Sequence, residues 1–257
     1  MKIKNLTHLV FLFAMVLVVF LDLHVALAQE SLFYQANNYY REGKYDLAVK
    51  DYEELIRSDL ESGNLYYNLG NSYFKKGEFG LAVLNYERAK LFIPNDSDLK
   101  SNYEFTLHAL NLEPESFGSR LQRLIYKIFE VMTVNSLIVF ISLVYTVLII
   151  LFILNLFLDS LRRISRIIVF MLLILFILSA VSLVGRISYL DKSAIIISKE
   201  ADVKFEPFDG ATTYFKLSEG SKVEVIEKTG NWCKLKRLDG KTGWVNKSVL
   251  VLIAGNF

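Results

Sequence analysis

The residue types that do covalent or acid–base chemistry are scarce in this sequence. Histidine occurs only at His8, His24 and His108, and Cys233 is the sole cysteine. Catalysis needs a nucleophile–base pair, a metal cluster or paired acids in a pocket. No His/Cys/Asp grouping has metal-ligand spacing, and one thiol allows neither an intrachain disulfide nor a thiolate zinc knuckle. No glycine-rich phosphate loop occurs. His108 falls on a predicted helix. Glu53 and Glu54 are adjacent on another, where side chains diverge around the axis, so a solvated face is their default. Cys233 alternates with Trp232 along a predicted strand, so one of the two points away from the core unless the strand is buried on both sides. A functional thiol needs an exposed, electropositive site, and only Lys234 and Lys236 argue for one. What remains is the chemistry of binding, with amides to pair with a peptide backbone and aromatic rings to anchor side chains. The expectation is a protein that is no enzyme and uses no cofactor or metal.

The charge distribution narrows the partners. Residues 29–118 carry 9 Lys/Arg against 15 Asp/Glu, a net of −6, while residues 193–257 carry 10 against 8, a net of +2. An acidic N-terminal region argues against nucleic acid.

Two uncharged apolar runs, 134–158 and 167–184, organise the rest. As a helix the first is about 37 Å long, enough to cross a bilayer core of about 30 Å with some tilt. The second, which ends as a helix near 185, is just long enough. The link 159–166 holds Arg162, Arg163 and Arg166. So short a link makes a tight hairpin whose two ends emerge on one side. A buried core hairpin of a soluble protein is the alternative, although helices apolar all round are rare in so small a domain.

Upstream, Lys2 and Lys4 precede an apolar run at 9–20, and Ala26-Leu27-Ala28 fits a small-x-small cleavage site. Residues 1–28 therefore read as a signal peptide, with an uncleaved anchor as the rival. The signal translocates the residues after it, and the arginine-rich link stays cytoplasmic by the positive-inside bias. Both flanking domains are then extracytoplasmic, on a bacterial inner (plasma) membrane with two spans.

Residues 29–95 repeat with an offset of 34: Ala36 and Gly70, Tyr39 and Tyr73, Gly43 and Gly77, Tyr45 and Phe79, Ala48 and Ala82, Tyr52 and Tyr86. With Ala89 and Pro94 this pattern closely resembles the tetratricopeptide repeat, an all-α array of helix pairs. The small residues admit close helix approach, and Gly43 and Gly77 suit a turn with positive φ. Two repeats alone bury too little surface, so 96–111, with Leu99, Tyr103, Leu107 and Leu110 at helical spacing, reads as a closing helix capped by Asp96 or Ser97. The array spans 29–112. The resemblance implies a concave peptide-binding face lined by Phe33, Asn37, Tyr40 and Arg41, then Tyr67, Asn68, Asn71, Phe74 and Lys75. Asn37 and Asn68 match the asparagines of the family's carboxylate clamp. Phe33, Asp98 and Asn102 stand where its basic residues would be, so a carboxylate clamp is not expected.

The spacing over 119–132 predicts an amphipathic connector helix, with Leu121, Leu124, Ile125, Ile128, Phe129 and Met132 on one stripe. It lies on the membrane or packs on the repeats. From Arg186 onward the period becomes two, with turn signals at Asp209-Gly210, Glu219-Gly220, Gly230-Asn231 and Asp239-Gly240. Short strands at this spacing make a small all-β barrel. The string from Leu217 through Gly220, Val223, Val225, Gly230, Trp232, Leu235, Gly240, Gly243, Trp244 and Val245 resembles the bacterial SH3 domain over 195–253. It lacks the Ala-Leu-Tyr-Asp-Tyr string of proline-binding SH3 domains. Trp232 and Trp244 are read as core residues, with ligand stacking the alternative.

The whole order resembles the tetratricopeptide-repeat/SH3 membrane proteins of the bacterial aerotolerance (Bat) group, BatE type. That resemblance implies a non-catalytic scaffold accessory to an envelope stress or aerotolerance complex, acting beside membrane proteins with von Willebrand A domains. A peptidoglycan-binding or sensing role through the SH3 domain is the alternative.

Overall fold

The computed structural model describes residues 27–112, 132–157, 162–237 and 239–255. The expected signal segment up to residue 26, the connector 119–131 and link residues 158–161 lie outside them. Helix α1 (27–41) is followed by α2 (Tyr45–Arg57), α3 (Gly63–Lys76), α4 (Phe79–Phe92) and α5 (Ser97–Ala109). Two long helices come next, α6 (Val134–Phe157) and α7 (Arg162–Lys192). Among the described residues seven strands follow: β1 (Ser193–Ile196), β2 (Glu200–Lys204), β3 (Thr213–Ser218), β4 (Lys222–Thr229), β5 (Trp232–Lys236), β6 (Thr242–Asn246) and β7 (Leu250–Leu252). The fold is a helical repeat array, a pair of long apolar helices and a small antiparallel β-domain.

Local chemistry sets the helix ends. Gly43 and Gly77 close α1 and α3 at φ of 74° and 78°, a conformation that costs glycine little. Asn111 takes the same role after α5 at φ 55°. In all three turns the next residue donates back into the helix: Lys44 to Tyr39 O at 2.9 Å, Glu78 to Tyr73 O at 3.0 Å, Leu112 to Leu107 O at 2.9 Å. Ser62 caps α3 by accepting from Leu65 N at 3.2 Å, and Asp96 caps α5 by accepting from Leu99 N at 2.8 Å. Each cap satisfies a donor that the helix start would otherwise leave open.

Inside the array, Tyr52, Leu55, Leu65, Ala82, Tyr86 and Leu99 are fully or almost fully buried. Gly70 is obligatory here, since a Cβ on it would sit 2.7 Å from the Tyr86 ring. Helix α5 is more than a lid. Its Asn102, Thr106 and Asn111 stand 34 residues after Asn68, Ser72 and Gly77. Thr106 Oγ1 donates to Asn102 O at 2.7 Å, as Ser72 Oγ donates to Asn68 O at 2.8 Å. It is therefore the first helix of a third repeat.

The β-domain forms one rolled sheet in the order β3-β2-β6-β5-β4-β1-β7, antiparallel at every pair. Register shifts at Val203/Lys204 and Val225/Glu227 let the sheet curve. Ala201, Val203, Val223, Val225, Cys233, Leu235 and Val245 point inward by strand alternation.

Helices α6 and α7 contain segments, Val134–Asn155 and Ser165–Lys192, long and apolar enough to cross a membrane. Only 11% of the most apolar window of each is buried, where a soluble core helix would be covered. They pack antiparallel through Leu137 and Val144, with Ser179 and Ser182 fully buried. Ser165 Oγ donates to Asn155 Oδ1 at 2.6 Å at one end, and Arg186 donates to Met132 O at the other.

The repeat array and the β-domain are joined face to face. Arg88 Nε and Nη2 donate to Ile253 O and Leu252 O at 3.1 and 3.2 Å. Gly80 N donates to Glu219 Oε2 at 3.1 Å, and Lys222 Nζ pairs with Glu87 Oε2 at 2.9 Å. Leu110 and Leu112, at the end of the third half-repeat, press on Gly220. The β3–β4 turn thus packs against the end of α5 and Val83 of α4.

Candidate functional site

The first helix of each repeat, α1, α3 and α5, lines one face of the array. Asn37 and Asn71 occupy equivalent positions there, 34 residues apart. Asn37 Oδ1 accepts from Tyr52 OH at 2.6 Å and from Asn68 Nδ2 at 2.9 Å. Asn71 Oδ1 accepts from Tyr86 OH at 2.8 Å and from Asn102 Nδ2 at 2.9 Å, and that Nδ2 also donates to Tyr67 OH at 2.9 Å. The asparagines thus stitch neighbouring repeats together. Both lone pairs of each central carbonyl are engaged within the array. Their Nδ2 groups make no hydrogen bond among the described residues and remain available as donors.

The aromatic residues divide. Phe33 packs on the Tyr52 ring at 6.0 Å and Tyr67 on the Tyr86 ring at 6.2 Å, so both serve partly as core. Tyr40 meets Tyr45 edge-on at 5.6 Å. Phe74 lies between Phe79 at 5.3 Å and Phe105 at 5.7 Å. Arg41 donates to Asn38 Oδ1, and Lys75 is exposed at the far end of α3. Sequence reasoning missed Phe105 and took Asn102 only as a departure from the clamp, although the repeat offset, carried one step further, leads from Asn71 to Phe105 and from Asn68 to Asn102. Phe105 is 63% exposed, an apolar ring in water on the face that carries the amides.

Family models match three stretches: a TPR repeat model covers residues 36–77, a tetratricopeptide repeat model 63–96, and a bacterial SH3 domain model 203–251. The modules are tetratricopeptide repeats and a bacterial SH3 domain. No curated protein matches the chain. Both kinds of module typically mediate interactions rather than catalysis.

The SH3 domain has a cleft of its own. Phe205, Tyr214, Lys234, Asp239, Lys241, Thr242 and Trp244 line a depression of about 640 Å³. The Phe205 and Tyr214 rings lie 4.5 Å apart and are 56% and 43% exposed. Trp244 is buried, with Lys234 Nζ 5.6 Å from its ring centre. Asp239 is held below the usual carboxylate range, to about 2, chiefly by its hydrogen bonds from Arg237. Trp232 is half-buried and Cys233 fully buried, so the thiol is the strand's inward member, and burial pushes its pKa up. That is the opposite of an activated thiol. Among the described residues no group of three His, Cys, Asp or Glu side chains could hold a metal.

Proposed function

We propose that this chain is a non-catalytic, membrane-anchored interaction scaffold. The hairpin of α6 and α7 anchors it in a bacterial inner membrane, behind a cleaved signal peptide. The arginines of the 159–166 link stay cytoplasmic, and the repeats and SH3 domain stand outside. The resemblance in module order supports an accessory role in an envelope stress or aerotolerance complex, with von Willebrand A-domain membrane proteins as partners. One observation carries the binding role: the face formed by α1, α3 and α5 presents the open Phe105 ring, the half-buried Tyr40 and Phe74, and the outward amides of Asn37 and Asn71. Rigid aromatic anchors beside spare side-chain amide donors are what the backbone of an extended peptide segment needs. In membranes treated with a crosslinker, Phe105→Ala with Lys75→Glu should abolish partner recovery while helix content stays unchanged. Recovery at the wild-type level rejects the groove. Protease added to intact spheroplasts should remove both modules, and protection of either rejects the topology.

A second reading places envelope-polymer binding in the SH3 cleft, and the exposed Phe205–Tyr214 pair beside Lys234 favours it. The full chain in detergent should then sediment with peptidoglycan, and Phe205→Ala with Tyr214→Ala should not.

A further inference from the structure

We propose that the groove is built to hold a juxtamembrane segment of another integral membrane protein, lying parallel to the bilayer at a fixed height. This rests on the groove being the working surface. Its own content is where that surface stands and what can reach it.

No flexible linker separates the second span from the modules. Helix α7 runs unbroken from Arg162 to Lys192 and passes directly into β1 at Ser193, whose Oγ donates back to Tyr189 O at 2.6 Å. The six residues after Arg186 lift the chain about 9 Å, little more than the thickness of a headgroup layer. The SH3 domain therefore starts at the membrane surface, and the array is fastened to it.

That fastening also orients the array. Helix α4 runs antiparallel to β1. A Cβ on Gly80 would meet Ile196 O at 2.8 Å, at the end of β1 remote from the span. Eight residues later, Arg88 grips Ile253 O, and Ile253 N donates to Ser193 O at 2.9 Å, at the end next to the span. Leu190, on the last turn of α7, packs against the cluster in which the array core is continuous with Ile195 and Ile253 of the β-domain. The Phe92 end of α4 thus faces the membrane. Helix α3 is antiparallel to α4, with Gly63 against Ile93, so its N-terminus is also on the membrane side and Lys75 is remote. Helix α5 is oriented the same way, since its far end reaches Gly220, whose N–H donates to Ile196 O at 2.8 Å.

The array's helices therefore point toward the bilayer, and the groove crosses them. The bonds Asn68 to Asn37 and Asn102 to Asn71 mark that direction, from α3 to α1 and from α5 to α3. A ligand lying along them runs parallel to the membrane. A soluble partner gains nothing from a groove at fixed height. A segment tethered in the same bilayer meets it at high effective concentration.

Two measurements test this on the full chain. In phosphatidylcholine vesicles carrying a headgroup quencher, single labels are placed at Asn64→Cys and Lys75→Cys, Cys233 being buried. The Asn64 label should lose most of its fluorescence and the Lys75 label should keep most of it. Equal quenching overturns the orientation. In growing cells a photoreactive residue replaces Phe105, and the crosslinked peptide is mapped by mass spectrometry. A site within ~20 residues of a membrane span in a second protein supports the proposal. A soluble partner, or a site remote from any span, overturns it while leaving the groove intact. No adduct at Phe105, nor with the photoreactive residue placed at Lys75 instead, overturns the groove reading, and the proposal with it.

Discussion

Glu87 on α4 and Lys222 on β4 sit 2.9 Å apart, both buried, and join two modules that are distant in sequence. Burial alone would raise the Glu87 pKa, but the Lys222 and Lys90 charges and the hydrogen bonds from Lys222 and Tyr103 hold it down at about 2. Burial likewise works against the Lys222 charge, and Glu87 outweighs it, so that pKa is raised. Tyr103 OH donates to Glu87 Oε1 at 2.5 Å, and Lys222 Nζ lies 5.1 Å from the centre of the Tyr189 ring. Helices α4, α5 and α7 and strand β4 all meet at this pair.

Removing one partner strands a charge in the interior. Lys222→Met should therefore cost about 3–5 kcal/mol, while Glu87→Met combined with Lys222→Met should cost far less, because the desolvation penalty goes with the pair. Denaturant titration in detergent, followed by Trp fluorescence of the SH3 domain, distinguishes the two. Equal losses in the single and double variants would show that the pair is packing rather than electrostatics.

The same pair sets an acid limit. Glu87 has a folded pKa depressed to about 2, against roughly 4.3 in an unfolded chain. A depressed carboxylate stabilises fully above its unfolded pKa, and the contribution fades as pH falls through the folded value. The wild-type chain should lose stability from about pH 4.3 down to about 2, and Glu87→Gln should flatten that slope. An unchanged slope in the variant would assign the acid loss to other groups.

The modules were legible in the sequence because each has a period. The 34-residue offset located the helix pairs, the turns at Gly43 and Gly77, and the close approach at Gly70. Strand alternation required Trp232 and Cys233 to face opposite ways, and Cys233 is the one inside. Two things stayed hidden. The third half-repeat has Asn111 where the others have glycine, and Glu113, Ser116 and Arg120 stand 34 residues after Phe79, Ala82 and Tyr86, so the sequence pattern stops there and α5 reads as a lid. The junction has no local pattern at all: Glu87, Arg88, Gly80 and Glu219 look like ordinary surface residues until the fold brings them together. The Asn37 and Asn71 carbonyls look open in sequence for the same reason, since Tyr52 and Tyr86 reach them from the second helix of each repeat.

The two glycine types in the array should respond differently to alanine. At Gly70 a methyl would overlap the Tyr86 ring, and overpacking of this kind typically costs about 1–3 kcal/mol. At Gly43 nothing lies within 4 Å, and only the positive φ of 74° resists, so the cost should be about 1–2 kcal/mol and purely conformational. Gly43→Asn should recover most of that loss, as Asn111 shows in the third half-repeat, whereas Gly70→Asn should be worse than Gly70→Ala. Thermal melts of the four variants check this ordering.

Asn71 and Phe105 occupy equivalent repeat positions on one face, yet they should fail in different assays. Asn71 Oδ1 is the acceptor for the buried Tyr86 hydroxyl and ties α3 to α5 through Asn102. Asn71→Ala therefore leaves a buried donor unsatisfied, which costs about 1–3 kcal/mol, and should lower the melting temperature whether or not a partner is present. Phe105 is largely exposed and meets the Phe74 ring edge-on at 5.7 Å. Phe105→Ala should leave the melt unchanged and weaken partner binding by about 2 kcal/mol, roughly thirtyfold, if the ring is an anchor. Asn71→Asp, which keeps the acceptor oxygens and loses the outward donors, separates the two roles. It should melt near wild type and still bind less well. If Asn71→Ala melts like wild type, the network does not hold the array together. If Phe105→Ala binds like wild type, the partner contacts a different part of the face.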